Sequence, residues 1–288
     1  MSNAILSLAA WAAKRLHPPG LARLYRLGPI TVALRRLLNR AAPDTRILVE
    51  VAAGGVRGAR LWLDLQKEKD YWLGSYELDL QEAARTRIQP GWVIYDIGAN
   101  IGYLSLLFAR LCAPGGRVIA IEALPDNSIR LQEHSALNPE PVKIEVIHAA
   151  VLDRSGPVEF FVHNSGGMGK VSGSAGRNVE YGRAIQVDGV TLDELILERR
   201  YPPPSLIKID VEGGEALVLT GMKRTLQEYH PLVFLELHGE IAAQECWNLL
   251  TGAGYRLSGI ASPFPPINHL ETLSWKSYLL ATPEKANE

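Results

Sequence analysis

Cysteine is scarce in this sequence, with two residues among 288. Cys112 and Cys246 lie in apolar, helix-like stretches that contain no CxxC pair and no neighbouring histidine. This spacing argues against both a disulfide framework and a structural zinc site. Such cysteine usage fits a reducing compartment, so we expect a cytoplasmic protein.

Long apolar runs are also absent. No stretch reaches the about 18 uninterrupted apolar residues that a membrane-spanning helix needs. The N-terminal apolar run at 4–13 is short, and positive charges follow it rather than precede it. That order is wrong for a secretory signal, so the sequence predicts neither a spanning helix nor a cleaved leader.

Net charge is nearly absent as well. The value of −1 at pH 7 gives no general attraction to nucleic acid, and we predict no nucleic-acid partner. The charge is uneven, because residues 1–46 carry eight Lys/Arg and one acid, a net +7, which leaves −8 for residues 47–288. We expect 1–46 to form short amphipathic helices, which either pack on the main domain or offer a basic surface to an anionic membrane or a partner.

The rest of the chain alternates strand and helix patterns. Residues 47–65 predict a β-hairpin around Gly54–Gly55, and 78–88 predict a helix. From Trp92 onward the predicted strands are 93–97, 117–122, 144–148, 206–210 and 232–237, and the predicted helices are 102–112, 125–137, 190–199, 214–228 and 240–252. This order predicts an α/β, doubly wound parallel sheet with helices on both faces. Residues 255–260 and 274–282 are expected to close it as an antiparallel pair.

Residues 153–189 interrupt this rhythm. Strand patterns at 158–162 and 184–187 flank a Gly/Ser-rich stretch, 164–178. Such a stretch buries little apolar surface, so it is either a mobile surface linker or a lid that orders around a substrate.

Acidic residues follow several of the predicted strands. Asp96 precedes the loop from Gly98 to Gly102, and Glu122 ends the next strand. Asp210 and Glu212 lie at the end of the predicted strand 206–210, and Glu236 and His238 lie at the end of 232–237. The carboxyl ends of parallel strands share one edge, where ligands bind. Gly98 and Gly102 suit a tight turn close to a ligand, and Glu122 stands where a carboxylate accepts hydrogen bonds from ribose.

The glycine loop lacks one residue of the dinucleotide fingerprint G-x-G-x-x-G, because Asn100 takes the place of the middle glycine. Asp96, just before the turn, would repel a pyrophosphate but not a cationic nucleoside such as S-adenosylmethionine. A nicotinamide-dependent oxidoreductase is therefore the less favoured alternative. A non-catalytic binding module on the same fold is a third reading.

Six motifs in a fixed order, DIGANIGY, IEALPDN, AAVLDRSG, TLDEL, IKIDVEGGEALVLTGM and LELHG, resemble the FkbM family of S-adenosylmethionine-dependent methyltransferases. The resemblance covers about residues 74–282. It implies the seven-stranded class I methyltransferase fold, mostly parallel with its last strand antiparallel. We therefore divide the chain into an N-terminal segment, 1–70, of basic helices and the hairpin, and a methyltransferase domain, 71–288, in which 153–189 is inserted.

The resemblance also implies how the donor S-adenosylmethionine is bound. Asp96, Gly98, Asn100 and Gly102, with the adjoining Tyr103, would surround its methionine portion. Glu122 would bind the ribose, and Glu77 the amino group, unless Glu77 is only a solvated acid at a helix N-terminus. The adenine would lie near Ala149, Ala150 and Val151.

Asp210 would face the reactive methyl group, where Asp210 or Glu212 could orient or deprotonate an acceptor hydroxyl. His238 has the unperturbed pKa best suited to a base near neutral pH, although a locally hydrogen-bonded strand-end histidine would look the same in sequence. Asp210, Glu212, Glu236 and His238 could together ligate a divalent metal, but we predict none. The expected reaction is O-methylation of a sugar, glycan or polar natural product.

Overall fold

The computed structural model describes residues 42–139, 143–163, 168–171, 174, 181–274 and 276–284, together with Trp11, Arg15 and Arg40. The helices predicted within 1–46 and most of the Gly/Ser-rich stretch lie outside these described residues. Within them, no helix is both long enough and apolar enough to cross a membrane.

The described chain contains fourteen strands and seven α-helices. The helices are α1 (Lys69–Leu73), α2 (Leu78–Arg87), α3 (Tyr103–Leu111), α4 (Pro125–Leu137), α5 (Glu215–Thr220), α6 (Lys223–Tyr229) and α7 (Glu240–Gly252). The strands are β1 (Ile47–Glu50), β2 (Arg60–Leu63), β3 (Val93–Ile97), β4 (Arg117–Glu122), β5 (Ile144–His148), β6 (Ala150–Val151), β7 (Gly156–His163), β8 (Gly169–Val171), β9 (Tyr181–Val190), β10 (Leu206–Ile209), β11 (Leu232–His238), β12 (Tyr255–Gly259), β13 (Pro266–Ile267) and β14 (Lys276–Pro283).

The central sheet has eight strands in the order β13-β12-β14-β11-β10-β3-β4-β5. The five strands from β11 to β5 are parallel, and β14 runs antiparallel to both of its neighbours. This is the predicted methyltransferase topology with one short extra strand, β13, at the edge. The sequence predicted β3, β4, β10 and β11 because each is a short apolar run buried on both faces.

Alternate residues of the strands face two separate cores. In β3, Ile94 packs with α2, α3 and the β1–β2 hairpin, whereas Tyr95 and Ile97 pack with residues of α5, α6 and α7 on the opposite face. A side chain changes face at every residue of a strand, so helices cover both faces, as predicted. The hairpin shares the first core rather than forming a unit of its own.

Two predicted helices differ from the observed ones. Residues 192–198 are helical, within the predicted range, but Glu194–Glu198 form a π-helical turn and Val190 still belongs to β9. The predicted helix 214–228 is divided into α5 and α6. The Asp193 carboxylate accepts the backbone N–H groups of Arg224 and Thr225, which caps a new helix at that point.

The insertion forms a second, four-stranded sheet in the order β6-β9-β7-β8. Both predicted strands, 158–162 and 184–187, are present and pair antiparallel as β7 and β9. Part of the Gly/Ser-rich stretch is also a strand, because β8 pairs with β7. The described part of the stretch is therefore structured rather than a simple linker.

A buried histidine joins the hairpin to the glycine loop. His134 on α4 is fully buried; its Nδ1 lies 2.8 Å from the Ile101 carbonyl oxygen, and its Nε2 lies 3.0 Å from the backbone nitrogen of Trp62. Nδ1 therefore carries the proton and Nε2 accepts, so the ring is neutral. Burial lowers the pKa of His134, and the charge of Arg130 acts in the same direction.

We expect His134→Leu to lower the free energy of unfolding at neutral pH by about 1–3 kcal/mol, because two buried backbone groups lose their partners. The folded pKa lies below the unfolded value of 6.5. His134 therefore stabilises the fold above that value and loses its contribution as pH falls. The difference in the free energy of unfolding between wild type and variant, measured by urea unfolding, should therefore become smaller in acid. His269→Gln, at an exposed site, is the matched control, and a gap independent of pH would contradict the assignment.

Candidate active site

Two clefts open at the carboxyl ends of β3, β4 and β10, and Gly98 and Asn100 line both of them. The larger, which we call the main cleft, has a volume of about 690 Å³ including its open mouth. The smaller, the tyrosine cleft, has about 220 Å³. Ligands of doubly wound sheets bind at this edge, so the predicted site and the observed clefts coincide in position.

The glycine loop packs tightly against the chain that follows β10. Gly98 has a φ of +71°, and a Cβ added to it would lie 1.8 Å from the carbonyl oxygen of Asp210. Gly102 has a φ of +86°, and a Cβ there would lie 2.2 Å from a methyl carbon of Leu131. Only glycine fits both the backbone angle and the space at these two positions.

Asp96 does not face either cleft. Its side chain has no exposed surface and accepts a hydrogen bond of 2.6 Å from the Ser105 hydroxyl. Its other carboxylate oxygen lies 3.3 Å from Nζ of Lys208. In this structure Asp96 therefore supports the loop from below, which differs from the predicted direct contact with the donor.

Glu122 lines the main cleft and also fixes the glycine loop. Its carboxylate accepts the backbone N–H of Asn100 at 2.8 Å and that of Leu124 at 2.9 Å. Burial raises the pKa of Glu122, while these two hydrogen bonds act against the shift. Ala149, Ala150 and Val151 line the same cleft, on the side where the adenine was predicted.

The inserted sheet supplies a wall of the main cleft that the sequence did not assign. Phe160 of β7 and Val171 of β8 line it, together with Met168. Phe160 and Val171 share a hydrophobic cluster with Ala150 of β6, and β6 pairs with β9 in the inserted sheet. The described part of the insertion therefore forms one wall of the main cleft.

Three tyrosines form the wall of the tyrosine cleft. The ring centroids of Tyr71 and Tyr76 are 4.4 Å apart, and Tyr103 lies 5.3 and 5.8 Å from them. Trp72, next to Tyr71 in the chain, is buried in the first core. Glu77 follows Tyr76 in a left-handed conformation, φ 46°, and one of its carboxylate oxygens is buried with no hydrogen-bond partner among the described residues. Burial raises the pKa of Glu77, and the charge of Glu236 raises it further.

Asp210 and Glu212 both line the main cleft, as predicted. Their side chains are 18% and 19% exposed, so they can reach a ligand. Burial raises the pKa of Asp210 to about 8; Lys208, 3.7 Å away, opposes the shift, whereas Glu236 adds to it. A carboxyl group that titrates near neutral pH is suited to act as a general base or acid.

His238 is placed differently from its predicted role. The ring is fully buried between Glu215 at 2.8 Å and Glu236 at 3.0 Å, with Glu212 at 3.7 Å. Burial alone would lower its pKa, but the hydrogen bonds to Glu215 and Glu236 raise the pKa of His238 to about 10. A protonated ring with no exposed surface cannot take a proton from an acceptor, so this geometry argues against His238 as the base.

His238 also stabilises the turn after β10 that carries Asp210 and Glu212. Glu215 accepts the backbone N–H of Gly213 through the carboxylate oxygen that also contacts His238. Glu212 in this turn has a left-handed φ of 54°, a strained angle for a residue with a side chain. The buried His238–Glu215 pair therefore holds the turn that presents Asp210 and Glu212 to the cleft.

Ligand atoms of Asp210, Glu236 and His238 lie within 4.8 Å of one another, close enough for a metal ion. Countercharges already surround them, since Glu236 is bound by both His238 and Lys276 and Lys208 lies beside Asp210. A metal would have to displace these cations and deprotonate His238. We assign no metal to this group.

Lys208 is the site residue that the sequence analysis missed. It is buried in β10, and its Nζ donates to the Gly98 carbonyl oxygen at 2.8 Å while contacting Asp96 and Asp210. Asp96 is its register partner on β3. The available signal was a lysine within an otherwise apolar strand, two residues before Asp210 and therefore on the same face.

Comparison with known proteins places these features in a family. The sequence matches the methyltransferase FkbM domain over residues 96–257. The hexuronic acid methyltransferase AglP of Haloferax volcanii is 28% identical over 161 residues, covering 56% of this chain and 62% of AglP. The 31-O-demethyl-FK506 methyltransferase FkbM of Streptomyces tacrolimicus is 27% identical over 208 residues, covering 61% and 77%. The chain thus spans a little under two thirds of the length of AglP.

Among solved structures, the methyltransferase FkbM from Methylobacillus flagellatus is similar over 77% of this chain and 56% of that chain, with a TM-score of 0.45 and 16% identity. The domain match begins at Asp96 and ends in β12, so it includes the glycine loop, Glu122 and the turn with Asp210 and Glu212. It covers more than half of the 288 residues. The chain belongs to the FkbM methyltransferase family.

Proposed function

We propose that this protein transfers a methyl group from S-adenosylmethionine to a hydroxyl group of a sugar, glycan or polar natural product. The observation that carries the proposal is the main cleft, where Glu122 and the pair Asp210 and Glu212 meet beside the glycine loop. Three carboxylates and no Lys, Arg or His side chain line it among the described residues. Such a cleft favours a cationic nucleoside over a pyrophosphate.

The chain's own residues fit this donor at both ends. The main cleft offers Glu122 for ribose hydroxyls and the apolar wall of Ala150 and Phe160 for a base. The buried carboxylate oxygen of Glu77 that lacks a partner is suited to an ammonium group, as is the neighbouring ring of Tyr76. Gly98 and Asn100 line both clefts, so the glycine loop adjoins both parts of the bound donor. We assign the amino-acid end of the methionine portion to the tyrosine cleft and its sulfonium centre to the boundary with the main cleft, which Asp210 lines.

The acceptor chemistry follows from Asp210. S-adenosylmethionine supplies a methyl carbon, which the acceptor oxygen attacks as the carbon–sulfur bond breaks. Asp210 removes the hydroxyl proton, and Glu212 orients the acceptor. A hydroxyl needs such a base because its own pKa is far above neutral. Two relatives carry names that specify an acceptor, a hexuronic acid and a demethylated FK506, and these names support an oxygen on a sugar or natural product.

Calorimetric titration tests the donor directly. We expect S-adenosylmethionine and S-adenosylhomocysteine both to bind with one-to-one stoichiometry, because the ribose, adenine and amino-acid contacts are common to them. NAD should not bind, since Asn100 and the cleft carboxylates are unfavourable for a pyrophosphate. Binding of NAD without binding of either sulfur compound would instead support an oxidoreductase.

The basic segment 1–46 supports a second, separate proposal of peripheral contact with an anionic membrane. Its net charge of +7 would favour anionic phospholipid. Co-sedimentation of the full chain with vesicles of anionic lipid, but not with vesicles of neutral lipid, is the expected result. Equal recovery with both vesicle types would contradict it.

A further inference from the structure

Asp210 lies in a group of charges contributed by several elements. The groups that interact with Asp210 are Glu77 and Tyr76 before α2, Tyr71 of α1, Lys208 of β10, Glu236 and His238 of β11, and Tyr278 of β14. Asp96, Glu212 and Lys276 contact Lys208, His238 and Glu236, respectively. An oxygen of Asp210, an oxygen of Glu236 and a ring nitrogen of His238 all lie within 4.8 Å of one another. Lys208 Nζ lies 3.7 Å from a carboxylate oxygen of Asp210.

Glu236 is the fixed negative charge in this group. Its side chain is 4% exposed and does not line either cleft. Burial would raise its pKa, but hydrogen bonds from His238 and Lys276 outweigh that effect and hold the pKa of Glu236 at about 2. It therefore stays ionised near neutral pH.

Two carboxylates this close cannot both be ionised without a large electrostatic cost, and the less well-partnered one keeps its proton. Glu236 is in close contact with two cations, His238 at 3.0 Å and Lys276, whereas the contacts of Asp210 with cations are longer, with Lys208 at 3.7 Å and His238 within 4.8 Å. Asp210 is therefore the member of the pair that is protonated. A positive charge delivered into the main cleft, which Asp210 lines, would stabilise its ionised form and release the proton.

We propose that Glu236 is a positioning residue that keeps a proton on Asp210 until the positive charge of the methyl donor enters the cleft and releases it. This inference rests on the proposed function. The released proton goes to solvent on donor binding. Asp210 then takes the acceptor proton as the oxygen–carbon bond forms and the carbon–sulfur bond breaks. The sulfur product is neutral, so Asp210 retains that proton and returns to its starting state.

The test counts protons released when the donor binds, without any acceptor. Binding enthalpies near neutral pH are measured in buffers that differ in ionisation enthalpy, and the slope gives the number of protons. The donor's own amino group titrates at about 7.7–8.0 when unperturbed and can also release protons. The relevant quantity is therefore the number of protons released by the wild type minus the number released by Asp210→Asn, which we call the excess. For the wild type we expect an excess of roughly half a proton or more, given the raised pKa of Asp210. With S-adenosylhomocysteine, which lacks the sulfonium charge, the excess should be near zero.

Variants of neighbouring residues test the role of Glu236. Glu236→Gln should reduce the excess, because one of the charges that keep the proton on Asp210 is removed while the burial of Asp210 remains. Glu245→Gln, the same change at an exposed site on α7, should match the wild type. Lys276, whose side chain is 38% exposed, is a partner of Glu236. Lys276→Met should therefore raise the pH at which proton release is half-maximal. This second variant keeps the proposal testable if Glu236→Gln unfolds, which circular dichroism would reveal.

Different failures have different meanings. Equal proton counts for the wild type and Asp210→Asn, or for the two sulfur compounds, would overturn this inference while leaving the proposed function intact. A full excess in folded Glu236→Gln would remove Glu236 from its role, as would an unchanged pH midpoint in Lys276→Met. Absence of donor binding in the wild type would overturn the proposed function, and the inference with it.

Discussion

Asp210→Asn is expected to lower the rate of methyl transfer by about 10²–10⁴-fold, the usual contribution of a positioned general base. The asparagine has nearly the same shape, so the contacts of the turn with Gly98 and Lys208 should persist. It cannot accept the acceptor proton. Affinity for S-adenosylmethionine should fall by less than about tenfold, equivalent to 1.4 kcal/mol, because the ribose and adenine contacts are unchanged.

The measurement is incorporation of a labelled methyl group into acceptor from an extract of the source cell, alongside calorimetric titration of the donor. Asp188→Asn makes the same chemical change at an exposed residue of β9 and should behave as wild type in both assays. A variant that binds the donor and keeps the wild-type rate would show that Asp210 is not the base. Glu212→Gln would then be the next variant to assay, since Glu212 is the other carboxylate after β10 that lines the main cleft.

The succession of strands and helices along the chain and the position of the site could be predicted because both depend on local patterns, whereas the seven-stranded topology came from the resemblance to the FkbM family. Each strand of the parallel sheet is a short apolar run followed by polar residues, and parallel strands place their carboxyl ends together. Glu122, Asp210 and Glu212 were found in this way. The division of α5 from α6 could not be predicted, since it depends on the cap from Asp193, about thirty residues earlier in the chain.

The protonation states were beyond sequence reasoning for a related reason. His238 has an ordinary pKa in isolation, and it is the pairing with Glu215 and Glu236 that keeps it charged. Asp96 lies within β3 and Asp210 directly follows the neighbouring β10, yet one is fully buried beneath the loop and the other lines the cleft. Asp96 is the register partner of Lys208, so Asp210 lies two residues further along the same face, at the edge where the cleft opens.

The insertion is a further case in which contacts between distant parts of the chain, rather than local sequence, decide the structure of the site. Its strands were recognisable from β-branched and aromatic runs at 158–162 and 184–187. Their association with the main cleft arises from β6, a two-residue strand at Ala150–Val151 that pairs with β9. No local pattern identifies so short a strand. The wall formed by Phe160 and Val171 was therefore visible only in three dimensions.

Gly98→Ala is expected to affect stability and donor binding together. A non-glycine residue at φ +71° costs about 1–2 kcal/mol. The new Cβ would lie 1.8 Å from the Asp210 carbonyl oxygen, and relieving such an overlap costs about 1–3 kcal/mol more. The free energy of unfolding should fall by the sum, about 2–5 kcal/mol. Relief requires the loop and the Asp210 turn to move apart, so donor affinity should fall by roughly tenfold or more.

Gly115→Ala separates the two causes. Gly115 has a similar φ of +79°, but a Cβ there meets nothing within 4 Å. The control should lose only the backbone contribution of about 1–2 kcal/mol and should keep wild-type affinity for S-adenosylmethionine. Urea unfolding and calorimetric titration of both variants give the comparison. Equal losses of stability, with unchanged donor affinity in Gly98→Ala, would mean that the close approach of Gly98 to Asp210 does not shape the donor site. A larger loss in Gly98→Ala, accompanied by weaker donor binding, would tie the glycine loop and the catalytic carboxylate into one packed unit.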